Sequence, residues 1–295
     1  MNAESVARAR RPLWQRGLLI IAALGFALGV YLSIRARPEL ISDLNFGPLF
    51  ILAAVCVPFT VLLNTEEFRL SGLLVGHHFP RISALEITIV ASVANMLPIP
   101  GGTMVRIGAL KTKGANLKDG TAATLLISFL WIGAAFLYSG AWLLVLGGKE
   151  TGGPKLGPVF CLFGAVLLVI VAALGARMFK QRGTVARLIL IKIGLVLTDA
   201  ARIYLCFLVL GVDATFGQAS VLTVSSVVGA SVSIVPAGLG IREGTAALLA
   251  PLIALGAATG YLSTSLNRVV GLMVLAPVAL ALSLRKKAVS DVPEI

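Results

Sequence analysis

Acidic residues are scarce in this chain: 13 Asp and Glu stand against 25 Lys and Arg among 295 residues, and charged residues of both signs make up only 13%. A soluble domain averages about 25% charged and about 45–50% apolar residues, whereas 58% are apolar here and the mean hydropathy is +0.96. That deficit excludes an ordinary soluble globular domain and points to an all-α polytopic membrane protein. Histidine is nearly missing too, and His77 and His78 are adjacent. Sequence neighbours point to different sides of a helix, so the two make no metal site. Cys56, Cys161 and Cys206 each lie within an apolar run without metal-type spacing, which implies small buried hydrophobes and neither a disulfide framework nor a metal. G-x-S-x-G, H-E-x-x-H and P-loop motifs are lacking, and every polar segment is too short for a catalytic domain. No enzymatic activity and no cofactor are expected.

The net charge of +12 would suggest nucleic acid in a soluble protein. Here the basic residues sit mainly at the ends of apolar runs, as positive-inside topology and contact with anionic headgroups require. No nucleic-acid recognition motif accompanies them, so no nucleic-acid partner is expected.

What is present is a series of apolar runs. Residues 1–16 form a basic arm carrying Arg8, Arg10, Arg11 and Arg16. Residues 17–34 are long for a secretory signal and lack a small-x-small cleavage site, so they read as the first span. Further full spans are expected at 46–63, with Pro58 as a kink, and at 121–146, 156–176, 188–210 and 266–284. Residues 64–83 read as a polar connector. The basic segment 285–287 opens a tail of residues 285–295, leaving 17–284 as one membrane domain. With six full spans the two termini share a side, and the basic loop 177–187 falls there as well, which makes that side cytoplasmic. A bacterial or archaeal cell membrane is the expected location.

Two stretches do not fit this scheme of plain spans. The run 84–99 is short for a core that needs about 20 residues, and it stops at Pro98 and Pro100. The run 219–235 ends in Pro236-Ala-Gly-Leu-Gly-Ile-Arg-Glu-Gly244. Laid over each other without a gap, Pro100, Gly102, Arg106 and Gly108 fall on Pro236, Gly238, Arg242 and Gly244, and Val105 falls on Ile241. The pattern predicts two re-entrant broken-helix hairpins, at about 84–118 and 219–258. Three spans separate them, so they enter from opposite faces. Paired broken helices of inverted orientation mark transporters whose site lies between the repeats. Full crossing by both hairpins is the competing topology.

Arg106 and Arg242 are the leading candidates for substrate binding. A Pro/Gly break frees backbone N–H groups at the start of a half-helix, which favours an anion, and a guanidinium adds a bidentate partner for phosphate. Asn95, Pro100, Gly102, Pro236 and Gly238 complete that set. Snorkelling to headgroups is the structural alternative for either arginine. Glu243 cannot face the same way as Arg242 on a helix, and is expected to pair with a basic residue from another element or to titrate during transport. Asp199 and Arg202 stand three apart on one helix, so an internal ion pair is the default and a cavity lining the alternative. Lys192 lies seven before Asp199, near the cytoplasmic end, where it can snorkel. Asn267 and Arg268 are weaker candidates.

Asn95-Met-Leu-Pro98, Pro100-Gly-Gly-Thr-Met-Val-Arg106 and Pro236-Ala-Gly-Leu-Gly-Ile-Arg-Glu-Gly244 together resemble the transmembrane region of lysylphosphatidylglycerol synthases. Phe68-Arg69 before Leu73-Leu74 is similar to an aromatic/arginine segment of the same family. Thr103 and Met104 stand where that family often has an acidic residue, and 121–146 lacks its arginine-aspartate feature. The resemblance implies a flippase-like membrane region without the soluble aminoacyltransferase domain, and a membrane lipid with a phosphate headgroup as partner. The alternatives are an ion-coupled carrier of a small solute, using Asp199 or Glu243, and an accessory subunit of a lipid- or glycan-modifying enzyme. A homo-oligomer is compatible with each.

Overall fold

The computed structural model describes residues 13–42, 44–95, 101–146, 153–231 and 238–290. Pro98, Pro100 and Pro236, residues 1–12 of the basic arm, and residues 291–295 of the tail lie outside them. Every regular element among the described residues is helical. In chain order these are α1 (Leu13–Ala36), α2 (Glu39–Ser42), α3 (Phe46–Leu74), α4 (Arg81–Ala94), α5 (Gly101–Thr112), α6 (Leu117–Leu146), α7 (Gly153–Phe179), α8 (Arg182–Val209), α9 (Phe216–Val221), α10 (Thr223–Ser231), α11 (Ile241–Leu249) and α12 (Ala257–Ser290). A 3₁₀ turn, Ala250–Ile253, joins α11 to the loop before α12.

Among the described residues four helices are long and apolar enough to cross a membrane: α3, α6, the Lys155–Phe179 part of α7 and the Ala257–Arg285 part of α12. Helix α1 contributes a shorter apolar stretch, Ile20–Ala36. Helix α8 has 28 residues, but Lys192, Asp199 and Arg202 interrupt its apolar sequence. Large apolar side chains such as Leu24, Phe50, Leu162, Val169, Met273 and Leu280 point outward, while Glu67, Lys192, Glu243 and Asn267 are buried. An apolar exterior around buried charge suits a hydrocarbon solvent, in which a charged group must turn inward to find a partner.

Helix α3 runs on through Leu74, about three turns beyond the span expected from the sequence. Within it Leu52–Cys56 forms a single π-helical turn just before Pro58. Proline has no N–H to donate and its ring crowds the preceding turn, so a wider turn ahead of it relieves both problems. The kink expected at Pro58 is thus a π turn.

The two unusual stretches fold as paired short helices. Helices α4 and α5 have 14 and 12 residues, and α10 and α11 have nine each. At about 1.5 Å per residue none of the four reaches across a core roughly 30 Å thick. Within each pair the arms pack on each other. The glycines explain how closely. A Cβ on Gly102 would collide with the Ala91 carbonyl oxygen on α4, and one on Gly238 with the Gly229 carbonyl oxygen on α10. These aligned glycines hold corresponding posts. The next aligned pair, Gly108 and Gly244, is unlike them: a Cβ at either would meet nothing within 4 Å.

That contrast gives a first prediction. Gly238 has φ +60°, so Gly238→Ala meets both a left-handed backbone penalty and a collision. It is expected to destabilise by at least about 2 kcal/mol. Gly244→Ala, inside α11, is expected to be neutral or to stabilise by up to about 1 kcal/mol. Thermal melting of the purified variants in detergent checks both; an equal loss in the two would refute the packing argument.

Candidate functional site

Helices from across the fold present polar residues to one interior space. On α3, Thr60, Asn64, Glu67 and Ser71 recur at intervals of four, three and four, which places them on a single face. Helix α8 supplies Lys192, Leu195, Asp199 and Arg202 in the same way, and α6 supplies Thr124, Ser128 and Trp131. The hairpins add Asn95, Gly102 and Arg106 on one side and Ser226, Gly238 and Arg242 on the other. Asn267, Arg268 and Gly271 of α12 close the ring. The cavity they enclose has a volume of about 450 Å³. Among the described residues five cations, Arg106, Lys192, Arg202, Arg242 and Arg268, share its walls with two carboxylates, Glu67 and Asp199.

The charges fall into three groups. In the first, Glu67 is 1% exposed and takes Arg106 at 2.7 Å on one carboxylate oxygen and Lys192 at 2.5 Å on the other. Lys192 Nζ also lies 5.6 Å from the centre of the Trp131 ring, within cation–π range. In the second, Asp199 accepts hydrogen bonds from Ser226 Oγ at 2.5 Å, Arg242 Nη2 at 3.3 Å and Asn267 Nδ2 at 3.3 Å. In the third, Arg268 Nε donates to Glu243 Oε1 at 2.7 Å, and Glu243 Oε2 accepts the Gly240 N–H at 2.9 Å. Arg268 also donates to the Gly238 carbonyl oxygen at 3.3 Å. That group fastens the start of α11 to α12.

Arg202 belongs to none of these ion pairs. Its Nη1 donates to Thr60 Oγ1 at 3.4 Å and its Nη2 to the Asn267 carbonyl oxygen at 3.3 Å, both weak contacts. Its Nε, with Arg242 Nε and Asn267 Oδ1, is buried and has no hydrogen-bond partner among the described residues.

The structure brings together most of the residues expected from the sequence. Arg106, Arg242, Gly102, Gly238, Asn95, Asp199 and Arg202 all line the cavity. Asn95 also works as a cap, since its side-chain oxygen accepts the Gly102 N–H at 2.9 Å across the break between the hairpin arms. Glu243 is not part of the wall; it is fully buried behind it and pairs with a basic residue of another helix.

Three expectations change. Asp199 and Arg202 do not form the internal pair that their spacing suggests, because Ser226, Arg242 and Asn267 from three other helices occupy the carboxylate. Lys192 does not snorkel: it is 4% exposed and bound to Glu67. Residues 64–83 are not a simple connector, because their first half continues α3 and carries Glu67 into the cavity. Glu67 is the functional candidate that hydropathy alone leaves out. Its signal in the sequence is the Thr60–Asn64–Glu67–Ser71 stripe.

Taken together, these features define an all-α membrane protein whose helices enclose a charge-lined cavity. No family model matches the chain, and no curated protein matches it.

Proposed function

We propose that this protein receives the phosphate headgroup of a lipid in the cavity and carries it between leaflets, as a flippase or scramblase of an anionic or polyprenyl-linked lipid. One observation carries the reading. Arg106 and Arg242, aligned in two hairpins distant in sequence, line the same cavity of about 450 Å³. A cation-rich space inside an apolar exterior is what a headgroup needs to cross a hydrocarbon core. The apolar wall residues Val57, Val61, Leu195 and Leu275 give the first part of a lipid tail a compatible surface.

In this reading the hairpins are re-entrant, form an inverted repeat and stand with six spans whose termini are cytoplasmic. A second parallel supports the repeat. Glu67 precedes its arginine Arg106 by 39 residues, and Asp199 precedes Arg242 by 43. Each unit thus supplies an acid on a long helix and then an arginine on a hairpin. The resemblance to the transmembrane region of lysylphosphatidylglycerol synthases agrees with this assignment.

The test is leaflet exchange of labelled phospholipids and polyprenyl phosphates in liposomes with and without the protein. Exchange is expected only with protein; Arg242→Ala is expected to slow it at least about tenfold, the cost of a lost charge-assisted hydrogen bond, and Arg106→Ala to slow it less, by releasing one oxygen of Glu67 in the cavity wall. Both variants should fold, because Glu67 keeps Lys192 and Asp199 keeps Ser226 and Asn267. Equal rates with and without protein across the panel would sink the proposal.

The carboxylate Asp199 in the cavity wall favours a second reading, an ion-coupled carrier of a small solute. Uptake driven by an imposed ion gradient and abolished in Asp199→Asn would select it over lipid movement.

A further inference from the structure

The five cations of the cavity are not equivalent. Arg106 and Lys192 share the two oxygens of Glu67 at 2.7 and 2.5 Å, and Arg268 is held by Glu243 at 2.7 Å. Arg242 has only a longer contact, 3.3 Å, to a carboxylate that also serves Ser226 and Asn267. Arg202 has no carboxylate within ion-pair distance among the described residues, and its two weak contacts go to a hydroxyl and a carbonyl. The Nε atoms of Arg202 and Arg242 are guanidinium donors that are buried yet unpartnered among the described residues.

These two arginines are also close in the network. Asn267 accepts from Arg202 with its backbone oxygen and donates to Asp199 with its side chain, and Asp199 accepts from Arg242. Asp199 is thus the carboxylate that both arginines feel, in direct contact with Arg242 and beyond contact distance of Arg202, so one negative charge faces two guanidinium groups. Glycines let both arginines pack closely against neighbouring helices: a Cβ on Gly271 would stand 3.1 Å from Arg202 Nη2, and one on Gly229 would stand 2.7 Å from Arg242 Cβ. Surplus positive charge is costly in a membrane interior, so it is retained where a further anion completes the site.

We infer that the anionic group of the ligand, a phosphate ester, is bound between Arg202 and Arg242, and that Arg106 is a positioning residue locked to Glu67. The assignment rests on the lipid-phosphate reading and sharpens it. The hairpin arginine and the long-helix arginine each offer an unused Nε–H together with Nη donors, the fork geometry that suits tetrahedral phosphate oxygens. In the Glu67 group both oxygens already have close cationic partners. A phosphate there would have to displace the carboxylate from its cations.

The experiment is calorimetric binding to the purified full-length protein in detergent. The probes are dioctanoyl phosphatidate, dioctanoylglycerol as the same tails without phosphate, and inorganic phosphate. Phosphatidate is expected to bind and dioctanoylglycerol to bind at least about tenfold more weakly. Arg202→Met is expected to weaken phosphatidate binding at least about tenfold with little change in melting temperature, since it removes a cation with no carboxylate in direct contact among the described residues. Arg106→Met is expected to weaken it at least about fivefold less than Arg202→Met, on the same scale. Phosphatidate binding in Arg202→Met at wild-type strength, or an equal loss in Arg106→Met, overturns the assignment and leaves the lipid reading standing. Failure of the wild type to bind phosphatidate overturns both. Inorganic phosphate bound more tightly than phosphatidate, and through Arg202, supports the two-arginine site while counting against a lipid as its ligand.

Discussion

Glu67→Ala is expected to be among the most destabilising single changes in this protein. It removes the one carboxylate between Arg106 and Lys192, at 2.7 and 2.5 Å, in a place where Glu67 itself is 1% exposed. Two cations would be left facing each other across a desolvated gap. Breaking a buried ion pair from one side costs about 3–5 kcal/mol, because the remaining charge stays buried. Lys192→Met is expected to cost far less, under about 1.5 kcal/mol, because Glu67 keeps Arg106 and the methionine retains most of the apolar stem beside Trp131. The combination Glu67→Gln with Lys192→Met should recover much of the loss, since only Arg106, 22% exposed, then lacks its counter-charge. Melting temperatures of the purified variants in one detergent measure all three. If Lys192→Met fell as far as Glu67→Ala, the carboxylate would not be the centre of this group.

The sequence carries some of this arrangement openly and some not at all. Apolar runs bounded by basic residues are legible because a hydrocarbon core demands an unbroken stretch of about 20 residues. The paired short helices are legible for the opposite reason, since proline and glycine interrupt each run before it reaches about 20 residues. Gly102 and Gly238 can be paired by alignment alone, but their shared steric duty depends on Ala91 and Gly229, which stand on the opposing arms. The end of α3 is hard to read because Asn64, Glu66, Glu67 and Arg69 look like a polar loop when only hydropathy is considered. At helical spacing, Thr60, Asn64, Glu67 and Ser71 form one stripe, and the intervening Phe68 and Leu70, like Leu74 beyond them, are buried against other helices. Partner choice is the least legible feature. Asp199 and Arg202 are correctly spaced for each other on α8, yet the carboxylate is taken by groups from α10, α11 and α12. Local geometry sets which pairs can form, and tertiary packing decides which do.

The second large effect is expected at Glu243, and it separates two roles of one carboxylate. Its Oε1 holds Arg268 Nε at 2.7 Å, and its Oε2 accepts the Gly240 N–H at 2.9 Å, at the first turn of α11. The side chain is 0% exposed. Glu243→Ala therefore takes the carboxylate away from the largely buried Arg268 guanidinium and unseals a helix start, which together are expected to cost about 3–5 kcal/mol from the buried-pair and capping contributions. Exchanging the charges, Glu243→Arg with Arg268→Glu, restores opposite signs but not the cap, because arginine has no acceptor for the Gly240 N–H. Replacing both by glutamine removes the charges and keeps an amide oxygen at position 243 for the cap. The double glutamine variant is accordingly expected to melt closer to the wild type than the exchanged pair does. The exchanged pair should also lose phosphatidate affinity, because it sets a carboxylate at position 268 in the cavity wall and unseats the Gly240 N–H two residues before Arg242. Full recovery of stability and binding in the exchanged pair would show that Glu243 acts through charge alone, and that the seat of Arg242 does not depend on the cap.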